Sequence, residues 1–292
     1  MILINGITGF IGKSLATGLI RAGFEVCGLS NKTDELLIEG SAVTVFPLSQ
    51  RPIVEIFEMH NIEHVVNLAV DYGREGSTAA EVFDTNCRLA LDLYLLADHF
   101  GCQSYIQTGS FSEKQHDPKY NSTYIRSKQT AHTLCQRLAL KTPYIKLQLE
   151  HVYGPNDNHT KLLPDVLRRM LADDGTIEIG FCDLKRDLIY VDDAVAAYLV
   201  VIGNYQDCAG KTIEVGNGRM LNLQSVVEKL AGMVKHYKPS ISSELKFNSD
   251  SCGQLLSSRA DTKILRKLGW EAKTSLDAGL DKMIAVKLYG KF

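Results

Sequence analysis

No stretch of the chain approaches the roughly 18 consecutive apolar residues that a membrane-spanning helix needs, and the apolar run at its start is short and has no basic leader. The sequence therefore predicts neither a membrane span nor a targeting segment. Charge of one sign is not in excess either: 32 Lys and Arg against 34 Asp and Glu leave a net charge of -2, which removes any compositional argument for nucleic acid or an anionic membrane as partner. Cysteine is sparse and odd in number, seven in all with no C-x-x-C pair, so a disulfide framework and a structural zinc site are excluded. The cysteines read as small core hydrophobes in a reducing compartment, and the expected location is the cytoplasm. His60 and His64 are four apart, but no third ligand is near and the segment around them reads as the entry to a strand, so no metal is expected. Internal repeats and low-complexity segments are missing too. What remains is 292 residues, 45% of them hydrophobic, enough for one large α/β domain or one and a half.

What is present starts at residue 1. An apolar run from Met1 to Ile4 reads as a buried parallel strand, then three glycines, Gly6, Gly9 and Gly12, precede an apolar-periodic run from Ser14 to Ala22. Strand, glycine turn and helix in that order suit a dinucleotide: glycine permits the sharp turn, the approach of a pyrophosphate to the backbone and close packing of helix on sheet. The phosphates would meet the positive end of the helix. The spacing G-x-x-G-x-x-G is wider by one residue than G-x-G-x-x-G, and glycines after a strand also serve as plain turn punctuation.

Further strands are expected at Phe24 to Ser30, Val43 to Leu48, Val65 to Val70, Tyr105 to Gln107 and Tyr144 to Leu149, with long helices from Val82 to Phe100 and from Ser122 to Leu140. Such alternation predicts an α/β chain with a doubly wound parallel sheet. The second strand ends in Ser30, Asn31 and Lys32. An acid at this point would take the adenosine ribose of NAD; a hydroxyl, an amide and a cation suit a 2′-phosphate, unless Lys32 is simply a solvated loop lysine. Beyond the sixth strand, Pro155 and the asparagines at 156 and 158 make a loop that hands over to a second region. Farther on, RDLIYVDD from Arg186 to Asp193 reads as a short strand capped into a helix by its acidic pair. Arg186 is either a diphosphate clamp or a surface partner of Asp187. The last 80 residues alternate short elements, Thr212 to Val215 and Leu223 to Met233, and finish in helices expected around Thr262 to Leu268 and Ser275 to Val286.

Tyr124 and Lys128 are four apart on the second long helix, so they share a face. A phenol near pKa 10 is a poor acid or base at neutral pH, and an ammonium one turn away is expected to bring it down. Chance alone would supply about one such pair; position singles this one out, since it follows the hydroxyls of Thr108 and Ser110 on the helix that would flank a nicotinamide.

GITGFIG at 6–12, Tyr124-x-x-x-Lys128, HVYGP at 151–155, RDLIYVDD at 186–193 and ADTKILRKLGW at 260–270 together resemble the extended short-chain dehydrogenase/reductases that act on nucleotide sugars, the NAD-dependent epimerase/dehydratase family. The resemblance runs the length of the chain in order. Within that family, LEHVYGP at 149–155 and LAVDYG at 68–73 resemble the CDP-abequose and CDP-paratose synthases, 4-ketoreductases of CDP-3,6-dideoxyhexose biosynthesis. The resemblance implies a Rossmann domain over 1–153, rejoined by about 186–205, and a smaller α/β substrate domain formed by 154–185 and 206–292. It implies a catalytic Thr108, Tyr124 and Lys128, with Ser110 as a substitute hydroxyl. It implies cofactor contacts from Gly6, Thr8, Gly9, Phe10, Ile11, Gly12, Ser30, Asn31, Lys32, Leu68, Ala69, Tyr124, Lys128, His151 and Val152. The substrate would meet Tyr72, Ser110, His151, Tyr153 and Arg186. Two departures matter. Sugar 4,6-dehydratases of the family carry an Asp-Glu pair directly after the hydroxyl, where this chain has Gly109 and Ser110, so dehydration lacks its acid and base. Many members have an Asp for the adenine where this chain has Pro47 and Leu48.

The expected function is an NADPH-dependent reductase of a CDP- or dTDP-linked 4-keto-deoxyhexose, with NADP(H) preferred and NAD(H) usable, in a homodimer built from the two long helices. A redox-neutral 4-epimerase holding one NAD uses the same Tyr and Lys, so only the cofactor pocket separates the two. A non-catalytic nucleotide sensor would have no need of both Tyr124 and Lys128.

Overall fold

The computed structural model describes residues 1–31, 35–38, 40–48, 52–74, 76–114, 122–180, 184–248 and 257–290. In chain order the elements are β1 (Ile2–Asn5), α1 (Phe10–Arg21), β2 (Val26–Leu29), β3 (Glu35–Ile38), β4 (Ser41–Phe46), α2 (Ile53–Met59), β5 (His64–Asn67), α3 (Ala79–Phe83), α4 (Leu89–His99), β6 (Ser104–Ser110), α5 (Thr123–Leu138), β7 (Tyr144–Leu149) and β8 (His151–Tyr153). They continue with α6 (Leu162–Ala172), β9 (Thr176–Ile179), β10 (Lys185–Arg186), β11 (Leu188–Tyr190), α7 (Val191–Gly203), α8 (Tyr205–Cys208), β12 (Thr212–Val215), β13 (Leu221–Asn222), α9 (Leu223–Tyr237), β14 (Glu244–Phe247), α10 (Lys263–Lys267) and α11 (Leu276–Tyr289). No helix among the described residues is long and apolar enough to cross a membrane.

The chain forms two compact units. The first holds Met1–Leu149, Val195–Val215 and Lys263–Trp270, and its sheet has the strand order β12-β7-β6-β5-β1-β2-β4-β3. Its pairings are parallel except β3 with β4, so this is the doubly wound sheet that the alternation of elements predicts. The antiparallel β3 was not foreseen. Its four residues turn back through Gly40, whose φ of +80° suits glycine, before β4 begins.

The buried strands explain why the apolar runs are continuous: Ile2, Leu3 and Ile4 of β1 are wholly buried. The helices begin at chemical signals. Thr78 and Glu81 form a capping box that starts α3 ahead of the expected Val82, and Ser122 caps α5 through the Ile125 N–H. α3 and α4 are joined by one π-helical segment, Asp84–Arg88, so the expected unbroken helix carries an extra residue in its middle. α5 ends at Ala139 in a left-handed conformation, short of the expected Leu140. Five cysteines, at 27, 87, 102, 135 and 208, are free and buried, with burial pushing the Cys27 thiol up to about 12; Cys182 and Cys252 lie outside the described residues.

The second unit holds Glu150–Ala194, Gly216–Thr262 and Glu271–Phe292. Its boundaries differ from those expected, for reasons of strand pairing. β12 pairs with β7 and so carries residues 206–215 into the first unit, whereas β8 and β11 pair with each other and put 150–153 and 186–194 in the second. Two helices, α6 and α9, bury apolar stripes such as Val166, Met170, Val227 and Leu230. Asp187 is the hub of its loops: wholly buried, its carboxylate accepts the backbone N–H groups of Asn217 (2.8 Å), Gly218 (2.9 Å) and Ala260 (3.0 Å). Gly216 has to be glycine for this, since a Cβ there would lie 2.7 Å from the Asp187 Oδ2.

Replacing Asp187 by Ala leaves three N–H donors without an acceptor, that of Ala260 buried and those of Asn217 and Gly218 part-buried, and the expected loss is on the order of 2–4 kcal/mol of stability. Amide exchange at Asn217, Gly218 and Ala260 should accelerate together with a fall in the denaturation midpoint. A loss under about 1 kcal/mol refutes the hub.

Candidate active site

In the first unit the turn after β1 is built for close approach. Gly6 has φ +84°, and a Cβ on it would sit 2.8 Å from the Ala69 N; a Cβ on Gly12 would sit 2.2 Å from the Gly6 carbonyl oxygen. No side chain caps α1, whose N-cap is Gly9. A bare backbone cradle at the N-terminus of a twelve-residue helix fits a diphosphate, so the residues present accept a dinucleotide. Thr8 belongs to this turn, Phe10 and Ile11 open α1, and Leu68 and Ala69 follow β5 alongside it, with the Leu68 N–H donating to the Asn5 carbonyl at 2.9 Å. Ser30 is buried at the end of β2, its hydroxyl 2.7 Å from that of Thr8. Asn31 is exposed, and Lys32 lies outside the described residues. Leu48, where an adenine-binding acid was missed, packs on the apolar core under the sheet.

Tyr124 and Lys128 come from the first turns of α5, and both are shielded. Lys128 is 6% exposed, and its Nζ donates to the Thr108 carbonyl at 2.8 Å; burial pushes its pKa down. Tyr124 departs from expectation. Its phenol is held well above its usual pKa, first by burial and then by neighbouring Tyr72, while hydrogen bonds with Ser110 and Ser112 pull weakly the other way. Burial outweighs those hydrogen bonds. The partly exposed ring of Tyr72 lies 5.0 Å from it, with the Arg74 guanidinium 5.3 Å from the Tyr72 ring.

The two candidate hydroxyls have different neighbours. That of Thr108 is 2.7 Å from the hydroxyl of the buried Tyr198. Ser110, the substitute, is the one on Tyr124, together with Ser112, and the two serine hydroxyls are 2.9 Å apart. β6 runs on through Ser110 before a 3-10 turn, Phe111–Lys114, so the hydroxyl nearest the strand's end faces α5.

Three residues were missed. Asn86, in the π-helical segment, is 1% exposed; its side chain exchanges hydrogen bonds with the Asp71 backbone (2.7 and 2.8 Å) and donates to the Ser127 hydroxyl at 3.0 Å. It ties the loop bearing Tyr72 to the helix bearing Tyr124. An Asn four residues after Val82 on an apolar stripe was the available signal. Glu113 and Lys146 are the others, a buried pair next to Ser110; a lysine inside the apolar strand Tyr144 to Leu149 was the clue.

Four of the expected residues lie in the second unit. His151, in β8, has its pKa pushed down to about 3 by burial and by the cations Arg186 and Lys161, so its imidazole is neutral. Val152 beside it is buried. Arg186 is not a surface partner of Asp187, whose carboxylate is taken by backbone N–H groups; it is 6% exposed, donates to the Lys185 carbonyl at 2.9 Å and faces the Glu150 carboxylate. Tyr153 is a core residue, 4% exposed, its ring 5.7 Å from that of Tyr190; a Cβ on Gly279 of α11 would lie 2.3 Å from its hydroxyl oxygen. His60 and His64, four apart in sequence, take separate roles: His64 bonds the Ser104 hydroxyl at 2.9 Å, and His60 lies against the Phe46 ring.

A glycine cradle at the end of β1, in a doubly wound sheet, with Tyr and Lys one turn apart on α5, defines a nicotinamide-dependent enzyme of the extended short-chain dehydrogenase/reductase type. The comparisons agree. Residues 2–216 match the NAD dependent epimerase/dehydratase family, and the chain belongs to it. It is similar to a CDP-abequose synthase of Salmonella muenchen, 30% identical over 295 residues that cover 98% of this chain and 97% of that one. It is also similar to a dTDP-4-dehydro-6-deoxyglucose reductase of Escherichia coli, 24% identical, covering 97% and 96%. Among solved structures, MoeE5 in complex with UDP-glucuronic acid and NAD has the same fold, with a TM-score of 0.83 at 22% identity over 99% of each chain.

Proposed function

We propose that the chain is an NADPH-dependent reductase of a nucleotide-linked 4-keto-deoxyhexose, a CDP-4-keto-3,6-dideoxyhexose 4-reductase in kind, with Tyr124 as proton donor. The observation that carries this is the placing of Tyr124: a half-buried phenol, one helical turn from Lys128, that hydrogen-bonds with Ser110 and Ser112. A phenol serves a ketone that is becoming an alkoxide; oxidising an alcohol calls for the phenolate. A bound nicotinamide supplies the hydride. Ser110 orients the carbonyl oxygen, Tyr124 gives it a proton, and Lys128, whose Nζ donates to the Thr108 carbonyl, would also meet the nicotinamide ribose. In the second unit, Arg186 and the neutral His151 are the groups suited to a nucleotide diphosphate. With Ser110 as the hydroxyl, the two positions directly after it are Phe111 and Ser112, which bring no carboxylate, so water has left the sugar before it arrives. Similarity to a CDP-abequose synthase and a dTDP-4-dehydro-6-deoxyglucose reductase supports a reductase acting on such a sugar.

Tyr124→Phe is expected to keep cofactor binding and lose roughly 10²–10⁴ in turnover. Lys128→Met should lower turnover and cofactor affinity together. Ser110→Ala should cost more than Thr108→Val, which breaks a contact to Tyr198 and not one to Tyr124. Ketone reduction at near wild-type rate by Tyr124→Phe overturns the mechanism. Product formed from a 4-hydroxy nucleotide sugar without net NADPH consumption replaces the reductase by the 4-epimerase.

NADP(H) is the preferred cofactor, because β2 runs out through Ser30 and Asn31 with no carboxylate to repel a 2′-phosphate. Titration of both cofactors should favour NADP(H) by about tenfold to a hundredfold. Tighter NAD(H) binding refutes this.

The partner is a second copy. Phe83 of α3, Leu95 of α4 and Leu134 and Leu138 of α5 are 38–43% exposed, which supports a homodimer through the long helices. Light scattering that returns the 32.4 kDa monomer at micromolar concentration rules it out.

A further inference from the structure

Behind the serines at Tyr124 lie two charges with no part in the reaction just described. Glu113, in the 3-10 turn Phe111–Lys114, and Lys146, in β7, have side chains 2% and 5% exposed, and their charged atoms are 2.6 Å apart. The sheet does not need them: an apolar pair of similar volume is commonly as stable as a buried ion pair, whose desolvation offsets its attraction. Glu113 nevertheless touches each element that presents a reacting group. One carboxylate oxygen accepts the Ser110 N–H at 2.7 Å, the other takes Lys146, and the Glu113 backbone carbonyl accepts from the Gln129 side chain of α5 at 2.9 Å. A Cβ on Gly109 would fall 2.5 Å from the Lys146 Cε and 3.1 Å from the Glu113 Oε1. The pair thus fills the space that a side chain at 109 would need.

We propose that Glu113 is a positioning residue: anchored by Lys146, it hooks the Ser110 amide so that the Ser110 hydroxyl stays on Tyr124, and it sets a carboxylate directly behind that serine. This rests on the reading of Tyr124 as proton donor. The groups facing Tyr124 are Tyr72 from the loop after β5, Ser110, Ser112 and Glu113. Those facing Lys128 are Glu113, Lys146 and the Thr108 carbonyl. His132 on α5 and Tyr144 on β7, hydrogen-bonded to each other at 3.0 Å, also feel Glu113, and the neighbouring Lys114 is paired outward with Glu214. The carboxylate among the groups facing Tyr124 is Glu113, and its field opposes ionisation of the phenol. Asp at 113 would carry the same charge on a side chain one carbon shorter, so it separates hook from charge.

Glu113→Gln alone strands a buried ammonium and risks the fold. The double variant Glu113→Gln/Lys146→Met removes both charges and leaves an acceptor for the Ser110 N–H, so its thermal midpoint should stay near that of the wild type. Its kcat for ketone reduction should nonetheless fall on the order of tenfold or more, with KM changed less than about twofold. Its alkaline limb should move to lower pH, because the donor form of Tyr124 is lost as pH rises through a pKa that the missing carboxylate no longer supports. Glu113→Asp should keep the position of that limb while losing turnover. A folded double variant with wild-type kcat and an unmoved limb overturns the proposal. Should the wild type reduce no nucleotide-linked ketone, the reductase reading falls, and Glu113 is judged without substrate. In protein carrying carbon-13 at tyrosine Cζ, with Tyr124 assigned through Tyr124→Phe, the phenol should ionise at lower pH in the double variant; an unmoved titration overturns the role of Glu113 whatever the reaction.

Discussion

The first helix can begin where it does because residue 12 has no side chain. With a Cβ at Gly12 reaching to 2.2 Å of the Gly6 carbonyl oxygen and 2.8 Å of the Ile7 backbone, any other residue would push α1 off the end of β1. Everything near the cradle follows from that contact. The chain leaving β5 passes within touching distance of Gly6, the Ile7 side chain occupies the place a Cβ on Gly28 of β2 would take, and the Thr8 hydroxyl meets that of Ser30. Three strand ends are thereby held to one glycine turn, and the cofactor surface is a by-product of how tightly strand and helix close.

A second constraint acts inside the sheet. Asn5, Asn67 and Gln107 occupy one register row across β1, β5 and β6, and their amides bond in series: Asn5 to Asn67 at 2.8 Å, then Asn67 to Gln107 at 3.0 Å and to the Tyr105 hydroxyl at 3.1 Å. A slip of one residue in any of these strands would turn its amide to the opposite face and break the series, so the row fixes register where the strands deliver their catalytic ends. The next residues along β6 are Thr108, which carries the lysine on its carbonyl, and Gly109, which clears space for the Glu113 and Lys146 pair.

How much of this could be read in the chain depended on the range of the interaction. The strand, glycine turn and helix were legible because they are set within a dozen residues, and β7 was legible as a bounded apolar run. The pairing of Tyr124 with Lys128 is likewise local to one helix. What escaped were matters decided across the sheet. The choice between Thr108 and Ser110 turns on Tyr198, ninety residues away, taking the first hydroxyl. The pKa of Tyr124 is set by burial, which spacing does not encode. The unit boundaries moved because β12 joins the large sheet through a pairing with β7 that no local pattern announces. Tyr153 matched a motif yet is buried in its own unit, since the motif says nothing of Gly279 opposite it.

The π-helical segment from Asp84 to Arg88 has a consequence for how the chain tolerates change in length. It holds one residue more than a regular helix would, and each residue turns a helix by about 100°. Deleting a single residue there would restore an ordinary helix and raise its local regularity. It would also rotate Asn86 away from Asp71 and Ser127, or else swing α4 off the sheet that buries Leu93 and Ala97. The irregularity is thus a phase adjuster between two helical stretches that answer to different neighbours, one to the tyrosine loop and one to the core, and a shorter, tidier helix would serve neither.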